Sequence, residues 1–189
     1  MRELGVRIRF TTACLGNVRR ECYARGRLRT HFLFSRSPDD RVMFLNTWWK
    51  AILKRAADIL CKHQGEVKRI RFDVEVDGTP HPLEEAFEEV DGDKVPTVRG
   101  HFHRYYKADR FAKHEAFFPG TVIGLRCIVP QTISDDDFRR LLELAGKYCG
   151  ISPACPNEYG FFTVESIQST GRGKENKDEE VKEKEPTTS

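Results

Sequence analysis

The chain has 189 residues, 32% of them charged, which is enough for one domain with a real core, and no stretch approaches the roughly 20 apolar residues that cross a bilayer. Its net charge of +3 hides an asymmetry: residues 1–72 hold 17 Lys and Arg against 6 Asp and Glu, residues 73–170 hold 10 against 17, and residues 171–189 hold 5 against 6. Thirteen of the 17 N-terminal cations are Arg, whose planar fork suits phosphate and base edges, so a nucleic acid is the expected partner of that segment.

Arginines interrupt the N-terminus from the start, so no secretory signal is expected and the cytoplasm is the default compartment. Residues 6–11 (VRIRFT) alternate apolar Val6, Ile8 and Phe10 with Arg7 and Arg9, the pattern of a half-buried strand with a basic outer face. Residues 13–29 form an arginine-studded loop or irregular hairpin with Arg19, Arg20, Arg25, Arg27 and Arg29. Residues 30–34 read as a short strand that carries His31, and a Pro38 turn follows.

Asn46 or Thr47 is placed to cap a helix running to about Lys62, with Trp49, Ile52, Leu53, Ala56 and Leu60 on one face and Gly65 closing it. Residues 67–76 alternate as a second strand, and Asp77-Gly78 signals a turn. Residues 79–98 are acidic and broken by three prolines, with a short helix expected at 83–89. Residues 99–107 (RGHFHRYYK) look extended, and Arg99, His101, His103, Arg104 and Lys107 make a second line for nucleic-acid contact.

Residues 121–129 (TVIGLRCIV) are a third strand. Ser134 with Asp137 makes a capping-box variant, and Phe138, Leu141, Leu142, Ala145 and Tyr148 give the following helix one apolar face. Gly150 fits its end. A loop to Gly160 leads into a last strand from Phe161. Residues 170–189 have almost no apolar content and read as a disordered charged tail. The order is strand-helix-strand, an insertion at about 77–119, then strand-helix-strand. That is an α+β, ferredoxin-like plan (split βαβ, RRM-like), with an antiparallel sheet and two helices on one face of a single domain over 1–169.

Six cysteines show no C-x-x-C pair and are expected as reduced thiols, with Cys61 and Cys127 in the core. His101 and His103 lie two apart on an extended segment, and His114 or a cysteine would have to complete any metal site. Nothing fixes further ligands, so no metal is expected. Neither a P-loop nor a G-x-S-x-G, H-E-x-x-H or paired-carboxylate motif is present, and no cofactor is expected.

The segments AGKYCGISP (145–153) and YGFFTV (159–164), joined through Gly150 and Gly160, resemble the C-terminal helix, glycine-rich loop and strand of the RAMP superfamily. These are the ferredoxin-like RNA-binding proteins of CRISPR systems and their phage-encoded relatives. Ser152 stands where that family usually has a second glycine. FLNTWWKAILK (44–54) is similar to the family's first-helix entry, and HEAFFPGTV (114–122) to the turn before its third core strand. The resemblance implies an RNA-binding subunit of a CRISPR-type ribonucleoprotein, with RNA (CRISPR RNA as one candidate) and protein subunits as partners and no membrane. It also admits a metal-independent endoribonuclease, with His31 as general acid or base beside Arg29. A third possibility is a phage-encoded relative that mimics or inhibits a CRISPR complex by protein contact.

Overall fold

The computed structural model describes residues 1–24, 27–81, 87–90, 93–96, 113–152 and 159–169; for 21–24, 27–30, 87–90, 93–96 and 113 it describes the backbone. The strands are β1 (Arg2–Phe10), β2 (Cys14–Leu15), β3 (Val18–Ala24), β4 (Arg27–Leu33), β5 (Ser35–Arg36), β6 (Val42–Met43), β7 (Arg71–Phe72), β8 (Phe87–Val90), β9 (Asp93–Pro96), β10 (Lys113–His114), β11 (Ala116–Phe117), β12 (Val122–Val129) and β13 (Phe162–Ser169). Two helices, α1 (Asn46–Leu60) and α2 (Asp135–Tyr148), accompany them.

The main sheet has the order β13-β1-β12-β7, and each of its pairings is antiparallel. The molecule is therefore mixed α and β, with an antiparallel sheet and two helices. The alternation of β1 turns Leu4, Val6, Ile8 and Phe10 inward, and β12 does the same with Ile123, Leu125, Cys127 and Val129. These residues form one core with Trp49, Ile52, Leu53 and Ala56 of α1 and Phe138, Leu141, Leu142 and Ala145 of α2. Trp49 stacks on Phe72 with ring centroids 4.4 Å apart and meets Phe162 edge-on at 6.2 Å. Both helices thus lie on one side of the sheet, and Arg7 and Arg9 are exposed on the other.

Each helix ends by a different device. At α2, Ser134 Oγ accepts the Asp137 N–H at 3.1 Å, and Asp135, Asp136 and Asp137 face the positive end of the dipole. Gly150, at φ 64°, donates its N–H to Ala145 and closes the helix. Tyr148, expected on the apolar face, is exposed instead; it is the last helical residue, and Lys147 Nζ sits 5.0 Å from its ring centre. At α1 no side chain caps the start, and Leu45 precedes the first turn. Asn46 is diverted to the sheet, where its amide donates to Phe72 O and accepts the Phe72 N–H, each at 2.7 Å. The helix stops at Leu60, because Cys61 adopts a left-handed φ of 55° and bonds back to Ala57 and Asp58; Gly65 plays no part in that closure.

That left-handed turn also leaves Cys61 exposed, against the expectation that it joins the core. Cys14, Cys127 and Cys149 are buried. Burial pushes the Cys127 thiol up to about 12 and raises the other two, so all three stay protonated at neutral pH.

The second expected strand is mostly irregular. Residues Val67–Arg69 form a 3-10 turn, and Arg71 and Phe72 pair in the sheet; a single bridge from Asp77 to Gly124 continues that pairing, and one from Glu75 joins Met43 of β6. Of the helix expected at 83–89, residues 87–89 belong instead to β8, which pairs antiparallel with β9 around Val90 and Asp93, and residues 83–86 lie outside the described residues. The tail at 170–189 lies outside the described residues.

Candidate nucleic-acid interface

The arginine-rich stretch after β2 is a hairpin. Its register sets Arg20, Cys22 and Ala24 opposite His31, Arg29 and Arg27. Side chains alternate along a strand, and cross-strand partners share a face. One alternation of the hairpin therefore carries Arg20, Arg27, Arg29 and His31 and no carboxylate, whereas Glu21 and Arg19 fall on the other. Strand β10 joins the far edge of β4 in parallel, setting Lys113 beside His31 and His114 beside Phe32. Arg25 lies outside the described residues, as do Arg99, His101, His103, Arg104 and Lys107.

The root of the hairpin is fixed in the core. Glu115 is 7% exposed. Its carboxylate accepts the Phe34 N–H at 2.8 Å and pairs with Arg36, and its backbone bonds to Gly16 and Phe32. Gly16 packs directly on the Leu33 carbonyl, leaving no room for a Cβ, which would lie 2.3 Å from the Leu33 backbone carbon. His114 is buried, stacks on Phe32 at 4.8 Å and lies with Nδ1 2.8 Å from Gly16 O. Burial lowers its pKa against the opposing pull of that backbone contact. It serves as a buried support behind the hairpin. Among the described residues no group of three His, Cys, Asp or Glu is arranged to hold a metal ion.

On the open face of the main sheet, Arg7 and Arg9 project from β1. Arg9 is engaged: Nε donates to Glu165 at 2.6 Å and Nη1 to Gly120 O at 2.9 Å. Arg7 stands opposite Gly124 of β12 and Ser166 of β13. Arg126 meets Asp73 at 3.4 Å, and Arg41 meets Glu75 at 3.0 Å. Exposed pairs of this kind are worth little and exchange readily.

Gly150 and Gly160 frame the last loop. Gly160 has φ 77°, and a Cβ there would sit 2.3 Å from Ser152 N, so only glycine lets the two strands of the loop meet. Its N–H reaches Ala13 O, and its carbonyl accepts the Ile151 N–H. Ser152 is buried against Leu15. The described part of the loop is thus committed to holding β2.

Sequence reasoning missed Lys113 as a neighbour of His31, because a parallel pairing between segments over 80 positions apart leaves no local signature. It also missed Asp77 and Gly124 as facing positions. The available signal was a glycine inside the strand VIGLRCIV, which marks a bulge or a close approach.

No family model matches the chain, and no curated protein matches it. Among solved structures, a chain described as "Type IV-B CRISPR Complex" is similar at 10% identity and a TM-score of 0.39, over 94% of this chain and 95% of that one.

Proposed function

We propose that this chain is a RAMP-like, ferredoxin-fold protein that binds RNA through the β3–β4 hairpin, with Arg7 and Arg9 of β1 as further contacts, as a subunit of a CRISPR-type ribonucleoprotein. The ferredoxin-like assignment draws support from the sheet order: with the core strands counted along the chain as β1, β7, β12 and β13, it runs fourth, first, third, second. The family assignment rests on the helix-loop-strand motif around Gly150 and Gly160.

The observation that carries RNA binding is the hairpin register. Arg20, Arg27, Arg29 and His31 share one alternation, with Lys113 alongside and no acid among them. Phosphate contacts by such cations release counterions, so affinity falls with salt at about 0.7 per neutralised phosphate on single strands, on a log–log scale. The triple variant Arg20→Ala, Arg27→Ala, Arg29→Ala is expected to weaken binding to single-stranded RNA and flatten the salt slope by about two. An unchanged slope would exclude the hairpin.

His31 supports a second activity. It lies between Arg20 on β3 and Lys113 on β10, where an imidazole acting on a ribose 2′-hydroxyl would have cations to steady the phosphate. Metal-free cleavage by the wild type, lost in His31→Ala, is the expected sign; intact RNA with the wild-type protein removes this activity and leaves binding.

A further inference from the structure

Asn46 ties the start of α1 to β7, through the two bonds between its amide and the Phe72 backbone. Lys50 and Lys54 follow Asn46 at intervals of four, so they share its flank of the helix, and both are exposed. Cys61 and His63 then take left-handed φ angles of 55° and 60° and turn the chain back. It returns along α1 through the 3-10 turn to Phe72. Val67, Ile70 and Phe72 enter the core shared with α1, and Lys68, Arg69 and Arg71 are exposed. Five cations therefore border one edge of the sheet: two on the helix flank, two on the turn, and Arg71 on the face that carries Arg7, opposite Ile128.

Nothing in the fold answers these charges. Among the described residues, none of the five is in an ion pair. The acids closest along the chain are directed elsewhere: Glu66 lies 3.6 Å from His63, and Asp73 lies 3.4 Å from Arg126. Asp58, the one acid of α1, lies beyond Lys54 towards the helix end. The outer surface of α2 is different, because Asp135, Asp136 and Glu143 interrupt its cations and Arg139 meets Glu143 at 3.8 Å. Nor is this edge open to a partner strand, since the Asn46 amide already occupies the backbone groups of Phe72. Like charges held together repel one another, and a polyanion relieves that repulsion.

We infer that this edge binds the sugar-phosphate backbone of single-stranded RNA, as a contact separate from the hairpin. Lys50 and Lys54 are about 6 Å apart along the helix axis, and Arg69 and Arg71 are about 6–7 Å apart along an extended chain. Those spacings suit successive phosphates of a stretched strand, and both ammonium and guanidinium groups donate to phosphate oxygens. Among the described residues no exposed aromatic ring lines the edge, so the contact reads charge and not base identity. An acidic protein fits less well. A protein interface has an apolar centre, and the exposed apolar side chains near this edge are Leu45 and Ile128, on separate elements. The inference takes RNA as the partner from the proposed function but uses none of the hairpin residues.

The test is fluorescence anisotropy of labelled oligouridine and oligoadenosine with the full chain over a salt series. The edge variant Lys50→Gln, Lys54→Gln, Arg69→Gln is expected to flatten the log–log salt slope by about two with either oligomer. The milder pair Lys54→Gln, Lys68→Gln is expected to flatten it by about 1.4, and it decides the matter if the triple variant does not fold. Arg139→Gln, Arg140→Gln, Lys147→Gln removes equal charge from α2 and is expected to leave the slope as in the wild type. An unchanged slope in a folded edge variant, an equal loss in the α2 variant, or a loss confined to one oligomer overturns the inference. Polyglutamate that binds the wild type as tightly as RNA and is lost in the edge variant also overturns it, in favour of an acidic protein. The Arg20, Arg27, Arg29 variant keeps the two surfaces apart. If its slope is unchanged while that of the edge variant falls, the hairpin fails and the edge stands; the reverse pattern removes the edge alone.

Discussion

Ser152 Oγ accepts the Leu15 N–H at 3.1 Å and lies 3.5 Å from Leu15 O, all within the buried interior. One hydroxyl thereby satisfies both backbone groups of a residue in the short strand β2. Ser152→Ala strands the Leu15 N–H without a partner, which costs about 1–3 kcal/mol. Ser152→Gly, the residue usual at this position in the family the loop resembles, removes the same oxygen and should destabilise at least as much. Urea unfolding of the two variants measures both losses; two curves that superimpose on the wild type would remove the role assigned to Ser152.

A second bond of this kind joins Asn46 to Phe72. Strand β7 lies at the end of the sheet order, and its outer backbone groups at Phe72 are met by the Asn46 amide. Asn46→Leu is therefore expected to cost about 1–3 kcal/mol, although Asn46 lies in the first turn of a helix where Leu has the better propensity. If the helix effect dominated, the variant would gain stability in thermal melts instead.

What could be read before folding follows from how local each determinant is. Ser134 to Gly150 was legible because a cap, a periodic face and a terminal glycine are all short-range signals, and β12 because its alternation is clean. Asn46 read as a cap, since its side chain's commitment to Phe72, 26 positions away, leaves no trace in neighbouring residues. The end of α1 was misplaced for a related reason: Cys61 takes a left-handed conformation that glycine or asparagine would have advertised. In the candidate interface, the arginines were visible as composition. Their grouping with His31 depends on hairpin register.

Glu115 offers a sharper test of how the hairpin is held. Its side chain is 9% exposed and binds both the Phe34 N–H and the Arg36 guanidinium. Removing one member of a buried pair costs about 3–5 kcal/mol. Arg36 is itself 32% exposed, so Glu115→Ala should fall near the lower bound. Glu115→Gln keeps an acceptor for Phe34 and should lose less. Because the same carboxylate anchors the root of β4, hydrogen exchange of the hairpin amides should accelerate in Glu115→Ala more than exchange in β12; uniform acceleration would show a global loss instead.

The contact between the end of α1 and the start of α2 makes stability depend on acid. His63 Nε2 lies 3.0 Å from Asp137 Oδ2, and Lys62 Nζ lies 3.8 Å from Oδ1. The hydrogen bond with His63 holds the Asp137 carboxyl below its ordinary value of 3.8, helped by the charges of Lys62 and His63 and the Ser134 bond, and opposed by desolvation. A carboxyl whose folded pKa is depressed binds fewer protons in the folded chain than in the unfolded one, so stability rises with pH across that interval. Its contribution is fully present above the unfolded value and fades as pH falls through the folded one. Asp137→Asn has no such proton to take up. The stability difference between wild type and Asp137→Asn is therefore expected to shrink steadily as pH falls below about 4. Denaturant midpoints at half-unit intervals from pH 2.5 to 7 measure it, and a gap that stays constant below pH 4 would show that the His63 contact does not bias Asp137.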